Sequence, residues 1–341
     1  MTMGPVIISL ETIKLTEEEQ QILSHPNIAG IILFTRNFKN KQQITDLISS
    51  IRAINHDLLI MVDHEGGRVW RFKNEEFINP GSMQALGRLY DVNKGKALAD
   101  AFNYGKQIAI DLLTCGIDLN LAPVLDLYYD GVSSVIGDRA FHYDSQVVTL
   151  LAEQFIRGQL SVGMQAVGKH FPGHGAIAAD THTDKAIDYR DFQVINEQDL
   201  EPFAKLIENN ILSAVMPAHV IYPAIDSKPA GFSTKWLKEI LRKRLQFNGA
   251  IISDCLSMYA AQQFISQELD LNTINLELVK KALTAGCDLV IFNGLHGKKL
   301  LYLLDNLQWN LSEAQTIRIN SLKIAWSSYG PTNFNKPKIT A

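Results

Sequence analysis

The stretch GAIISD, residues 249–254, decides the reading of the fold. It is a short apolar run with two β-branched residues, too brief for a buried helix, and it delivers a carboxylate, Asp254, at its end. Working outward, the same form recurs as VIISL (6–10), IAGIILF (28–34), LLIMVD (58–63), IDLNLAPV (117–124), QAVGKH (165–170), SAVMPAH (213–219) and DLVIFN (288–293). Between these eight runs lie segments of helical period near 16–25, 41–54, 92–114, 143–160, 197–209, 234–245 and 273–285, with a last one near 297–327. Strands apolar on both faces and separated by helices pair in parallel with right-handed crossovers, and eight such units close into a barrel. The expected fold is therefore α/β, a single-domain (β/α)8 TIM barrel over 1–328, followed by a C-terminal tail at 329–341. A doubly wound open sheet is the competitor, but the first strand is not followed by Gly-x-Gly-x-x-Gly, and no Gly-Lys-Ser/Thr occurs.

The 341 residues are 46% hydrophobic and 20% charged, with a formal net charge of −4, so there is no basic footprint for nucleic acid. The KEILRKR run at 238–244 reads as a solvated helix face. The N-terminal MTMGPVIISLETIKL does not have the form of a secretory leader, and no stretch approaches the roughly 18 apolar residues of a membrane span. The expected compartment is the cytosol. Cys115, Cys255 and Cys287 are odd in number and sit in apolar surroundings, which suits buried fillers better than a disulfide framework. A monomer is the expected state.

The polar residues gather where a barrel keeps its chemistry, at the C-terminal ends of strands. Asp63 closes the third run, Lys169 and His170 the fifth, His219 the sixth, Asp254 the seventh and Asn293 the eighth. The longer connections 64–91, 125–142 and 171–196 also follow strands, as substrate loops do. In KHFPGHG (169–175) and the ADTH that follows (179–182), Asp180 and His182 stand two apart, so in an extended segment both face one way. The carboxylate can then fix the imidazole tautomer and leave the other ring nitrogen to exchange protons. Asp254 alone reads equally well as a helix N-cap; in the company of this loop it reads as a nucleophile. Asp63 suits a hold on vicinal hydroxyls, with Arg71, Arg139 and Lys169 as donors, while Glu65 and Arg68 are expected to pair with each other.

These residues resemble the family 3 glycoside hydrolases, specifically the single-domain bacterial β-N-acetylhexosaminidases of cell-wall recycling. The resemblance runs through VDHEGGRVWRF (62–72), LAPVLDL (121–127), GDRAF (137–141), KHFPGHG, ADTH, MPAHVIYPAID (216–226), PAGFST (229–234), FNGAIISDCLSM (247–258) and AGCDLVIFN (285–293). It implies a TIM barrel that removes terminal β-linked N-acetylglucosamine with retention, through a covalent glycosyl-enzyme intermediate and without a metal or cofactor. Asp254 falls at the nucleophile position, His182 at the general acid/base and Asp180 at its partner. Asp63, Arg71, Arg139, Lys169 and His170 fall where the family holds the sugar. The implied substrate is a saccharide or muropeptide, N-acetylglucosaminyl-1,6-anhydro-N-acetylmuramic acid with or without its peptide. Two positions depart from the family pattern: His64 stands where Gln is usual, and Cys255 where a second Asp follows the nucleophile.

Two other readings compete. His64, His170, His174, His182 and His219 with Asp254 could build a barrel metal site of the amidohydrolase sort, but no His-x-His lies on the first strand and no Asp ends the eighth. A non-catalytic sugar-binding protein would not need Asp254, His182 and Asp180 together.

Overall fold

The computed structural model describes residues 4–74, 76–178, 186–265 and 269–323. Every apolar run forms a strand: β1 Val6–Ser9, β2 Ile28–Leu33, β3 Leu59–Val62, β4 Leu119–Asn120, β5 Gln165–Phe171, β6 Ala214–Pro217, β7 Ala250–Ile251 and β8 Val290–Phe292. Neighbours pair in parallel in the order β7-β6-β5-β4-β3-β2-β1-β8. A parallel bridge from Ile252 to Leu289 joins the two outer strands, so the expected (β/α)8 barrel is the observed architecture.

Side chains alternate in and out along each strand. One hydrophobic cluster fills the barrel with Ile7, Leu59, Met61, Leu119, Leu121, Val167, Ala214, Met216, Ala250, Ile252, Leu289 and Ile291. A larger cluster lies between strands and helices, where Val6, Ile8, Ile60, Val62, Ala166, Val215, Ile251 and Val290 meet helix residues such as Ile44, Leu47, Ile108, Leu112, Phe155 and Leu206. Burial on both faces is why the strands lack a polar alternation in sequence.

Two helical expectations are corrected. The spacing predicts a loop over 64–91 and one helix over 92–114; the structure has two helices, Met83–Val92 and Lys94–Leu113, meeting at Asn93. The Asn93 side chain accepts from Lys96 N–H and starts a new helix. Gly87 masks the first helix in sequence, yet a Cβ there would stand 1.9 Å from Phe141 O, so close packing requires it. The single last helix over 297–327 is instead Gly297–Asn306 and Glu313–Asn320, the second opened by a Ser312/Gln315 capping box. Ile319 and Leu322 from this end of the chain join the barrel-filling cluster. The boundary expected at 328 and the tail 329–341 lie outside the described residues. Among the described residues no helix is long and apolar enough to cross a membrane.

Candidate active site

The strand period carries past the last apolar layer. Two residues beyond Met61, Val167, Ile252 and Ile291 come Asp63, Lys169, Asp254 and Asn293, which all line one cavity of about 470 Å³. Arg71, Arg139 and His170 line it too, so six of the eight expected site residues share one cavity, floored by Leu121, Met216 and Ile291. The other two, Asp180 and His182, lie outside the described residues.

On the β3/β5 side the charges are closely paired. Lys169, buried at 2% exposure, sends its ammonium to Asp63 Oδ1 and to Glu65 Oε1, each at 2.7 Å. Arg139 holds Glu65 in a fork, Nε on Oε2 and Nη2 on Oε1, both at 2.8 Å. Burial pushes the Asp63 and Glu65 carboxyls up, but Lys169 and Arg71 at the first, and Arg139 and Lys169 at the second, bring both below the usual carboxylate range. Burial opposes the Lys169 charge, and Asp63 with Glu65 outweighs it, so the ammonium titrates above its ordinary range. The expected Glu65–Arg68 pair does not form. Arg68 instead bonds Asp138 Oδ1 at 2.9 Å and caps the carbonyls of 134–136, because Glu65 points inward to a cation 74 residues away. Arg71 Nη2 stands 3.5 Å from Asp63 Oδ2 and its guanidinium lies 5.6 Å over the Phe34 ring.

Beside this pair, His170 rests on a residue the sequence reading overlooks. Asp126 takes His170 Nδ1 at 2.7 Å and both the His170 and His174 backbone N–H groups, at 3.1 and 2.7 Å. Burial alone would raise the Asp126 carboxyl, but His170 and these hydrogen bonds lower it, so it accepts and the His170 proton sits on Nδ1. The signal was available: Asp126 in LAPVLDL is an acid just beyond the fourth apolar run, the same position rule that picked out Asp63 and Asp254.

The β7/β8 side is sparse. Asp254 Oδ1 accepts from Cys255 N–H at 2.7 Å. Cys255 Sγ lies 3.0 Å from Ser257 Oγ and accepts from Asn293 N–H at 3.4 Å, and burial raises its thiol, so the residue is a neutral filler and not a second charge. Asn293 accepts from Arg36 Nη2 at 2.9 Å. His219, expected at the mouth, is behind it: the ring stacks on Phe232, and Nε2 lies 3.1 Å from Cys255 O. Burial keeps that imidazole neutral against the pull of Asp254.

Among the described residues, His170 and His174 share the cavity with ring centroids 6.0 Å apart, but the histidines do not bring ligand atoms to one point as an amidohydrolase site requires. His64 sits among Trp70, Phe72 and Phe77, its pKa pushed down to about 3 by burial and by Arg71. Among the described residues, the one His/Cys/Asp/Glu triad with ligand atoms within 4.8 Å of one another is Glu11, Glu19 and His296, away from this cavity.

Comparison with known proteins agrees with this geometry. The model of the glycosyl hydrolase family 3 N-terminal domain matches residues 4–322. A β-hexosaminidase of Nitrosomonas eutropha is 45% identical over 324 residues, 95% of this chain and 90% of its own length. One of Hydrogenovibrio crunogenus is 47% identical over 292 residues, 85% of this chain and 79% of its own. The structure of NagZ from Neisseria gonorrhoeae in complex with N-trifluoroacetyl-D-glucosamine matches with a TM-score of 0.89 at 36% identity, over 99% of this chain and 95% of that one. A barrel with its acids and cations converging at the mouth, and likeness over most of each relative's length, place the chain in glycosyl hydrolase family 3, among its β-hexosaminidases.

Proposed function

We propose that the chain removes terminal β-linked N-acetylglucosamine, with retention, from peptidoglycan fragments of the N-acetylglucosaminyl-1,6-anhydro-N-acetylmuramic acid type, with or without peptide. The observation that carries this reading is Asp254, an acid with one backbone hydrogen bond among the described residues, which shares its cavity with the part-buried Asp63–Lys169 pair. The gonococcal NagZ structure holds N-trifluoroacetyl-D-glucosamine, an amide-bearing hexosamine of the proposed kind.

In the first step Asp254 Oδ2 attacks the anomeric carbon, the glycosidic bond breaks, and the departing oxygen takes a proton from His182. In the second, His182 takes a proton from water, the water oxygen attacks the same carbon, and the carboxylate of Asp254 leaves. Two inversions give net retention. Asp180 orients the His182 ring. An imidazole in place of a second carboxylic acid spares Asp254 the repulsion of a neighbouring anion. Asp63 Oδ2 accepts from sugar hydroxyls, while the third N–H of Lys169, Arg71 and His170 complete the hold; Arg139 acts through Glu65. The reading places the reaction in the cytosol and asks for no metal.

The test is release of nitrophenol from 4-nitrophenyl N-acetyl-β-D-glucosaminide with EDTA present throughout, the sugar followed by proton NMR in the first minutes. We expect turnover, the β-anomer appearing first, and release of N-acetylglucosamine from the anhydro-disaccharide. Inversion, or activity only after a divalent metal is supplied, would overturn the assignment.

A further inference from the structure

A second polar cluster lies outside the cavity, and no step above uses it. Arg190 grips Asp188 in a fork, Nε on Oδ1 at 3.0 Å and Nη2 on Oδ2 at 2.7 Å. Its Nη1 reaches Tyr129 Oη at 2.7 Å and stands 2.9 Å from Asp199 Oδ2. The second contact is an ion pair, since neither Asp199 oxygen receives a well-directed hydrogen bond.

Each partner ties a different part of the connection that follows β5. Asp188 belongs to the returning flank and donates its N–H to Ile221 O at 2.8 Å, continuing the pairing of Ala186–Ile187 with Val220–Tyr222. Asp199 begins the helix Leu200–Glu208 and abuts the outgoing flank. Gly173 there has φ +150°, and a Cβ would stand 2.6 Å from the Asp199 Cβ, so only glycine lets the flank lie on that side chain. Tyr222 donates to Gly173 O from β6's own connection. Tyr129 comes from the connection after β4 and passes its hydroxyl to Gln198 at 3.3 Å. The guanidinium therefore holds the returning flank directly and reaches the outgoing one through Asp199, whose side chain lies against Gly173; Asp180 and His182 stand between the two flanks in sequence.

We propose that Arg190 is a positioning residue of the glycosidase reaction: by joining Asp188, Tyr129 and Asp199 it fixes the two flanks of the β5 connection relative to each other, and with them the origin of the acid/base. The proposal rests on the reading of His182 as that group. Arginine suits the task because its planar fork serves several acceptors at once, which a lysine ammonium cannot do in the same geometry. Burial lifts Asp199 to about 6 against the pull of Arg190, as expected where two carboxylates share one cation.

The test compares kcat/KM for 2,4-dinitrophenyl and phenyl N-acetyl-β-D-glucosaminides, since only the poor leaving group needs a proton. The variants are Arg190→Lys, Tyr129→Phe and, as reference, His182→Ala. We expect Arg190→Lys to lose roughly 10- to 10²-fold on the phenyl glycoside and little on the dinitrophenyl one, the scale of a displaced catalytic group. Tyr129→Phe, which removes one hydroxyl and no charge, should show the same selectivity at smaller size and decides the matter if Arg190→Lys fails to fold. Equal losses on both substrates, or none, while His182→Ala remains selective, would sink the role of Arg190 alone. A His182→Ala enzyme with no leaving-group selectivity would sink the acid/base reading and this proposal with it.

Discussion

The two ends of the barrel use the same residue type for opposite ends. At the N-terminal rim, Asp288 precedes β8 and is surrounded: Arg242 Nη2 at 2.8 Å, Arg318 Nη2 at 2.6 Å and Ile251 N–H at 2.9 Å. Asp118 before β4 is treated alike, by Arg52 and by Ile60 N–H at 2.7 Å. At the C-terminal mouth Asp254 has Cys255 N–H alone among the described residues, in an open cavity. A carboxylate whose acceptor sites are filled by guanidinium and backbone holds strands in register; one left short of partners is free to bind or react. Asp63 stands between the two cases, with Oδ1 taken by Lys169 and Oδ2 only loosely approached by Arg71.

The contrast can be broken at either end. Asp254→Asn should cost roughly 10⁴-fold or more in kcat/KM, as losses of a nucleophile do, while thermal and urea unfolding leave stability within about 0.5 kcal/mol. A variant that unfolds, or that retains more than a small part of its activity, would place Asp254 with the structural acids. Next in size, Asp288→Asn should remove about 3–5 kcal/mol of stability by leaving Arg242 and Arg318 without their shared anion, with KM and kcat of the surviving folded fraction unchanged. Urea midpoints beside active-site titration would separate the two effects; lost turnover per folded site would refute the division of roles.

The smallest effect concerns pH. Burial raises Asp199 to about 6 in the folded protein, above its unfolded value near 3.8. An acid so raised binds its proton more tightly when folded, so its contribution to stability is full below the unfolded pKa and is lost as pH rises through about 6. Asp199→Asn removes that titration. The difference in Tm, variant minus wild type, should therefore grow in the variant's favour between pH 4.5 and 7, as differential scanning calorimetry would read; a difference that is flat or falls with pH would place Asp199 among the ordinary ionised acids.

Much of the mouth was legible because strand period and strand end are local properties. The position rule singled out Asp63, Lys169, His170 and Asp254, and all four line the cavity. What escaped depends on partners far apart in the chain. Glu65 meets Arg139 across 74 residues and not its near neighbour Arg68. His170 meets Asp126 across 44, and Arg190 meets Tyr129 across 61. Cys255, by contrast, is the filler its apolar surroundings in sequence suggest, a neutral thiol packed between Ser257 and Asn293. His219 passed the same position rule as Asp254, yet its ring turned to Phe232, behind the cavity wall.

The amino-acid sequence by itself determined the eight strands, their parallel closure and the rim from which the chemistry is presented, because apolar runs separated by helices admit few other packings. The two kinds of acid also differ in place: Asp118 and Asp288 stand at the starts of their runs, IDLNLAPV and DLVIFN, whereas Asp63 and Asp254 end theirs. Only the tertiary structure decided which charge neutralises which, which imidazole faces the cavity, and which carboxylate is left short of partners. Those outcomes depend on side-chain direction and desolvation at contacts between distant strands, and neither property is carried by any local stretch of the chain.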